Sequence, residues 1–176
     1  MPFTFLVGGA RSGKSSLAVE MGRRHDGPVT YVATAPITDD DMASRVARHR
    51  DERPATWSTI EEQLDLVGAI ESVGTGLVVV DCLTLWTFNQ MWNGHDETTL
   101  QPLAAEVAAV CATRPDPVVV ISNEVGLGVH PETEEGREYR DVLGRVNQAV
   151  AARADRTLLL VAGRAVALGD PWDLLA

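Results

Sequence analysis

The sequence predicts an α/β fold in three layers, with a mostly parallel sheet lying between helices. Five short runs of aliphatic and β-branched residues, most of them without polar alternation, are typical of strands buried on both faces. Patterns of helical period separate these runs, so the order βα repeats along the chain. The predicted strands are 3–7, 29–32, 77–80, 118–121 and 157–161, and the predicted helices are 15–24, 39–52, 60–72, 100–112 and 134–154.

Composition points to an ordinary globular protein. The 176 residues include 25 acidic and 15 basic side chains, for a net charge of −10, and 45% are hydrophobic. We therefore expect a single domain over residues 1–176, with small solutes rather than nucleic acid as partners. No apolar stretch reaches the roughly 18 residues of a membrane span. Cys82 and Cys111 show no metal-ligand spacing, so we expect buried thiols in a cytoplasmic protein.

The first predicted strand runs directly into a glycine-rich loop that opens a predicted helix. The loop reads Gly8-Gly9-Ala10-Arg11-Ser12-Gly13-Lys14-Ser15, a complete Walker A pattern. Its glycines let backbone N–H groups face phosphates, Lys14 can reach the β- and γ-phosphates, and the Ser15 hydroxyl can ligate Mg²⁺. The sequence therefore predicts a three-layer P-loop NTPase fold of the RecA-like type that binds a nucleoside triphosphate.

The predicted strand at 77–80 ends at Asp81, as a Walker B strand does. Ligands of open α/β sheets bind beyond the carboxyl ends of the strands, so we expect Asp81 and Ser15 to meet the same Mg²⁺. An aspartate after a buried strand can also be a simple loop cap. Together with the phosphate loop, the metal role is favoured.

The predicted helix over residues 39–52 carries a histidine among arginines. Its acidic first residues suit the positive end of the helix dipole, and Pro54 disfavours helical geometry at Arg53. The surrounding arginines would lower the pKa of His49, favour its neutral, nucleophilic form and attract a phosphate. A solvated basic helix with an incidental histidine explains the same pattern, and the helix alone favours that simpler interpretation.

Other polar residues have simpler explanations. His25 lies near the end of a predicted helix and His95 in a polar loop, whereas the role of His130 stays undecided. Glu124, after the predicted strand at 118–121, either contacts substrate or metal or belongs to a plain turn. A solvated helix face explains most of the polar residues along 137–148.

Several of these segments, in this order, resemble one family. They are Gly8–Ser15, the His49 helix with Arg53-Pro54 and residues 57–61, the Asp81 strand, Ser122–Gly128 and residues 140–148. The sequence resembles the bifunctional adenosylcobinamide kinase / adenosylcobinamide-phosphate guanylyltransferase of cobalamin synthesis. The resemblance runs from the first strand to the strand at 157–161 and the following Ala162-Gly163. It departs from the family pattern at His130, where an apolar residue is common, and residues 169–176 match no motif.

This resemblance implies two reactions. A nucleoside triphosphate, ATP or GTP, first phosphorylates the hydroxyl on the aminopropanol arm of adenosylcobinamide, and GMP is then transferred from GTP onto that phosphate. It also implies that His49 carries the GMP and that the protein is a trimer. Lys14 is the second candidate catalytic residue, because it would neutralise the charge that develops as the γ-phosphoryl group moves. The implied nucleotide contacts are Gly8, Gly9, Ala10, Arg11, Ser12, Gly13, Lys14, Ser15, Thr34, Ala35, Pro36, Arg50, Asp51, Glu52, Arg53, Glu61 and Asp81.

Two other classes of protein use related sequence features. An ATP-driven nucleic-acid module of the RecA-like recombinase type shares the sheet and the loop, but the acidic balance and the small size of this chain argue against it. A regulatory GTP switch would need a guanine-reading motif such as Asn-Lys-x-Asp. The sequence contains none.

Overall fold

One sheet organises the part of the chain that the computed structural model describes, namely residues 3–36, 50 and 53–175. Its strands are β1 (Thr4–Gly8), β2 (Val29–Ala33), β3 (Ser58–Glu61), β4 (Leu77–Asp81), β5 (Val118–Asn123), β6 (Arg156–Val161) and β7 (Arg164–Leu168). They lie in the order β3-β2-β4-β5-β1-β6-β7. All neighbouring strands pair in parallel except β6 and β7, which are antiparallel.

Helices connect these strands. They are α1 (Lys14–Arg23), α2 (Leu66–Ser72), α3 (Leu83–Trp92), α4 (Glu97–Thr113), α5 (Glu134–Ala151) and the short α6 (Pro171–Leu175). Among the described residues, no helix is long and apolar enough to cross a bilayer.

Two hydrophobic cores lie on opposite faces of the sheet. Leu6 and Val79 face α1 and contribute to the smaller core. Their chain neighbours Phe5 and Val78 point to the other face, where α2, α3, α4 and α5 pack on the sheet. The middle strands are therefore buried on both faces, which is why their sequences read as continuous apolar runs. The predicted three-layer fold with a mostly parallel sheet is confirmed.

The topology gathers several chain segments at one edge of the sheet. β1, β2, β4 and β5 are parallel neighbours, so their carboxyl ends meet at that edge. The loop 8–15 follows β1, residues 34–36 follow β2, and α3 follows β4 at once. This edge is where a doubly covered parallel sheet binds its ligands.

The predicted helix over 60–72 is wrong at its start. Residues 58–61 form β3, and the helix begins only at Leu66. The Glu62 carboxylate accepts hydrogen bonds from the N–H groups of Leu64 and Asp65, which fixes a turn there and lowers the pKa of Glu62. Asp65 then caps α2 by accepting from the N–H of Gly68.

The remaining differences concern elements that the sequence analysis did not predict. These are β3, β7, α3 and α6. The helix predicted over 39–52 lies outside the described residues except for Arg50. Helix α4 begins at Glu97, three residues before its predicted start, because Asp96 and Thr99 form a reciprocal capping box.

Candidate active site

The glycine-rich loop joins β1 to α1 at the ligand edge. A Cβ built on Gly8 would lie 2.3 Å from the carbonyl oxygen of Leu160 in β6, so this position accepts only glycine. Gly13 has a φ of 104°, a conformation that side chains with a Cβ rarely adopt. The N–H of Gly163, in the turn between β6 and β7, donates to the carbonyl of Ser12 at 2.9 Å. Both β6 and the turn that follows it therefore lie directly against the loop.

Lys14 lies inside this loop and is buried. Its Nζ donates to the carbonyl oxygens of Gly8 at 2.8 Å and Gly9 at 2.7 Å. Burial lowers the pKa of the ammonium group, and electrostatic interactions with Cys82 and Asp81 oppose this shift. Lys14 thus lies within the electrostatic reach of Asp81, as a shared phosphate site requires.

Asp81 ends β4 and accepts a hydrogen bond from a residue of the neighbouring strand. The hydroxyl of Tyr31, in β2, donates to Oδ2 of Asp81 at 2.5 Å. Burial of the phenol and the adjacent Asp81 charge both raise the pKa of Tyr31, so the hydroxyl keeps its proton. The bond fixes the orientation of the Asp81 carboxylate, and no other described residue donates a hydrogen bond to its Oδ1. Sequence analysis missed Tyr31 because it lies within an apolar run and its signal there is that of a core residue.

Arg53 lies over the ring of Tyr31. Its guanidinium carbon lies 3.9 Å from the centre of the Tyr31 ring, a cation–π contact. Trp57, four residues further, packs so closely on α1 that a Cβ on Gly22 would lie 2.3 Å from the indole. An open pocket of about 530 Å³ is lined by Arg50, Arg53, Pro54, Ala55, Trp57 and Thr59. Two predicted nucleotide contacts, Arg50 and Arg53, therefore line one pocket, and Arg53 connects that pocket to Tyr31.

Thr34 joins the ends of β2 and β4. Its hydroxyl donates to the carbonyl of Cys82 and accepts from the Cys82 N–H, both at 2.7 Å. Its carbonyl accepts from the side chain of Asn89 in α3 at 2.9 Å. Thr34 is fully buried, so its observed role is to hold the ends of β2 and β4 and the helix α3 together. Ala35 and Pro36 follow at the edge and are partly exposed.

Glu61 lies at the carboxyl end of β3, opposite Ala33 of β2, and is exposed. The sequence predicted Glu61 on a helix. It lies instead on β3, the outermost strand, at the end of that strand which faces the ligand edge. His49, Asp51 and Glu52 lie outside the described residues.

Glu124, which follows β5, makes contacts that support the phosphate loop, and its carboxylate is already hydrogen-bonded. Glu124 donates its N–H to the carbonyl of Gly8, and its carboxylate accepts from the N–H of Gly126 at 2.6 Å. These contacts favour the plain turn. Asn147 of α5 is buried and donates to the carbonyl of Asn123, so the predicted solvated face does not include it.

Two of the histidines fit the simpler interpretation. His95 pairs through Nδ1 with the side-chain oxygen of Gln90 at 2.6 Å, just beyond α3. His25 follows the end of α1, where its backbone N–H donates to the carbonyl of Gly22. His130 is exposed in the loop after β5.

The described residues contain no group of three or more metal-binding side chains. A Mg²⁺ ion that accompanies a triphosphate needs only one or two protein ligands, because phosphate oxygens and water supply the rest. The Ser15 hydroxyl and Oδ1 of Asp81 would supply donors of this kind, so the chemistry of the residues present fits the ion.

Solved structures of low sequence identity share this fold. The RadB recombinase matches with a TM-score of 0.51 and 20% identity, over 90% of this chain and 73% of that one. The type III secretion ATPase EscN matches with a TM-score of 0.57 and 9% identity, over 91% of this chain and 42% of the other. With the loop 8–15 at the carboxyl edge of the sheet, the fold defines a P-loop nucleotide-binding protein.

Sequence comparison gives the family. A family model described as cobinamide kinase / cobinamide phosphate guanyltransferase matches residues 4–168. The bifunctional adenosylcobalamin biosynthesis protein CobP of Pseudomonas aeruginosa is 39% identical, over 94% of this chain and 97% of its own length. CobU of Salmonella typhimurium is 37% identical, over 90% of this chain and 94% of its own. The chain belongs to the cobinamide kinase / cobinamide phosphate guanyltransferase family, and the nucleic-acid alternative is not favoured.

Proposed function

We propose that this chain, as one domain over residues 1–176, phosphorylates adenosylcobinamide and then transfers GMP to the product. The observation that carries the proposal is the continuous family match over residues 4–168, which contains both the phosphate loop and the His49 segment. The geometry of the loop supports it, because Lys14 and Asp81 lie within electrostatic reach of each other at the ligand edge.

In the first step, the hydroxyl oxygen of the aminopropanol arm attacks the γ-phosphorus of the triphosphate. The bond from the γ-phosphorus to the bridging oxygen breaks, the nucleoside diphosphate leaves, and the hydroxyl proton passes to water. Lys14 would exchange its contacts with Gly8 and Gly9 for phosphate oxygens and offset the developing negative charge. Backbone N–H groups of the loop hold the β-phosphate.

Mg²⁺, when bound, supplies further neutralisation of the phosphate charge. Ser15 and Asp81 are the residues that would hold it. The hydrogen bond from Tyr31 orients Asp81 for this contact before any ligand arrives.

In the second step, a neutral ring nitrogen of His49 attacks the α-phosphorus of GTP and pyrophosphate leaves. An oxygen of the corrinoid phosphate then attacks the same phosphorus, the bond to nitrogen breaks, and adenosylcobinamide-GDP is released. Arg50 and Arg53, with Asp51, Glu52 and Glu61, are proposed to hold the nucleotide near the pocket beside Tyr31. The positive charge of the two arginines supports this placement.

We also propose a cytoplasmic homo-oligomer, a trimer, assembled through the β7 edge. All five residues of β7 are exposed. Val166 and Leu168 present apolar side chains there, and the exposed Val161 lies at the end of the adjacent β6. An exposed apolar edge strand is a surface that proteins usually cover.

One experiment tests the two-step chemistry. The protein is incubated with GTP labelled at the α-phosphorus, and the denatured protein is examined for acid-labile, base-stable label. We expect label on the wild type and none on His49→Asn, because the amide cannot form the phosphoramidate. Label that persists in His49→Asn would remove this histidine from its role, and an unlabelled wild type would contradict the covalent step.

A further inference from the structure

Three aromatic side chains form a surface on the outer side of α3. Phe88 and Trp92 are 48% and 83% exposed, and their rings stack with centroids 6.1 Å apart and planes 23° from parallel. Tyr139 of α5, which is half-buried, meets Phe88 edge-on with ring centroids 6.3 Å apart. We call Phe88, Trp92 and Tyr139 the aromatic face. Exposed rings gathered in this way mark binding surfaces more often than isolated apolar residues do.

The aromatic face is separate from the hydrophobic core. Trp86, on the same helix, is fully buried and donates from Nε1 to the carbonyl of Leu64. Phe88 and Trp92 are four residues apart and share the opposite side of α3. The core is complete without them, so the fold does not account for their exposure.

The aromatic face lies on a helix that starts at the ligand edge of the sheet. Helix α3 starts two residues after Asp81, and the Tyr139 hydroxyl donates to the carbonyl of Thr84 in its first turn at 2.9 Å. At a rise of about 1.5 Å per residue, Phe88 and Trp92 lie about 8 and 14 Å along the helix from its start. A large ligand on this face can therefore extend one arm to the phosphates.

Acidic residues outnumber basic ones next to Tyr139 in the aromatic face. Glu135 lies one helical turn before Tyr139 on α5, Glu138 precedes it directly, and both are exposed, while Arg140 on its other side is paired with Asp141 at 2.8 Å. The chain as a whole carries a net charge of −10. A ligand that covers this surface is therefore expected to combine a flat, largely apolar body with positive charge.

We propose that the aromatic face binds the corrin macrocycle of the substrate, while the aminopropanol arm reaches the nucleotide phosphates beyond β4. The macrocycle is a broad conjugated ring with apolar edges, and its alkylated cobalt centre leaves it a net cation. Ring contacts with Phe88 and Trp92, and the carboxylates beside Tyr139, match both properties. This inference rests on the proposed function, because it assigns the place where the corrinoid lies.

The test compares Trp92→Ala and Phe88→Ala with Trp92→Phe, which keeps an aromatic ring. Equilibrium dialysis of adenosylcobinamide, followed by its visible absorption, measures corrinoid affinity. We expect each alanine variant to bind about tenfold more weakly and Trp92→Phe to stay within about twofold of the wild type. GMP labelling with GTP alone needs no corrinoid and is expected to be unchanged, and the KM for adenosylcobinamide should rise while kcat is retained.

Equal corrinoid affinity in the wild type and both alanine variants would overturn the inference and leave the proposed function standing. A change in oligomer size on gel filtration in both alanine variants, with corrinoid affinity retained, would also overturn it, because the face would then be a contact between copies of the chain. A wild type that neither binds adenosylcobinamide nor takes the GMP label would overturn the proposed function and the inference with it.

Discussion

Tyr31 and Asp81, fifty positions apart in the chain, are joined by a hydrogen bond at the centre of the candidate site. Adjacent parallel strands bring them together, since β2 pairs with β4 and Ala33 lies opposite Asp81. Arg53 covers the Tyr31 ring. The carboxylate proposed to hold Mg²⁺ is thus linked through one phenol to an arginine of the nucleotide pocket.

Removal of the phenolic hydroxyl should disorient Asp81. For Tyr31→Phe we expect kcat of the kinase step to fall by about tenfold, comparable to the loss of one charged hydrogen bond, with the KM for GTP changed less. Steady-state kinetics at several Mg²⁺ concentrations measure this effect. Calorimetric titration of GTP with and without Mg²⁺ provides a readout that does not depend on turnover. Equal Mg²⁺ dependence in the variant and the wild type would show that Asp81 does not need Tyr31.

Lys14→Ala should abolish both reactions, because both depend on the placement of one triphosphate. We expect a loss of roughly 10²-fold or more in each rate, the usual cost of removing a preorganised charge partner. The kinase step is followed by transfer of the γ-phosphate and the second step by the α-phosphate label. Undiminished GMP labelling in this variant would mean that the second reaction does not use the loop.

Gly8→Ala should destabilise the protein, whereas Gly9→Ala should not. A Cβ at position 8 would collide with the backbone of Leu160, but nothing lies within 4 Å of a Cβ at position 9. We expect a loss of about 1–3 kcal/mol for Gly8→Ala and within about 0.5 kcal/mol for Gly9→Ala. Urea unfolding of the two variants gives the comparison. Similar midpoints would show that β6 moves aside without cost.

Both cysteines should resist thiol reagents in the native protein. Burial raises the pKa of the half-buried Cys82 and of the buried Cys111 to about 12, so at pH 8 nearly all of each thiol is protonated. Reactivity should rise as the pH approaches that pKa, and both thiols should react quickly once the chain is unfolded. Absorbance after addition of a chromogenic disulfide measures this rate, with free cysteine as the reference. Rapid labelling of the folded protein at pH 8 would contradict the burial.

Much of the fold could be predicted because its middle strands are buried on both faces. β1, β4 and β5 read as continuous apolar runs, and the glycine-rich loop fixes which edge binds phosphate. The strands at the two ends of the sheet have sequence patterns that predict a strand only weakly. β3 is polar and mostly exposed, and β7 is short and entirely exposed. Helix α3 was missed because its sequence is rich in aromatic and β-branched residues, which have low helix propensity and are held helical by packing.

The candidate site was predictable only where residues are local in sequence. The loop 8–15 and Asp81 follow recognisable patterns. The pairing of Tyr31 with Asp81 depends on strand order and on the direction of two side chains, neither of which the sequence states. The same holds for Thr34, whose partner Cys82 lies 48 positions away.

The bond between Gly163 and Ser12 ties the hairpin turn of β6 and β7 to the phosphate loop. If neighbouring copies join at β7, contacts between them would also restrain the turn at Gly163 and, through its hydrogen bond, the phosphate loop. Dilution that separates the copies would remove this restraint, so the affinity for GTP should fall as the enzyme concentration is lowered. Calorimetric titration of GTP at several enzyme concentrations can record this dependence.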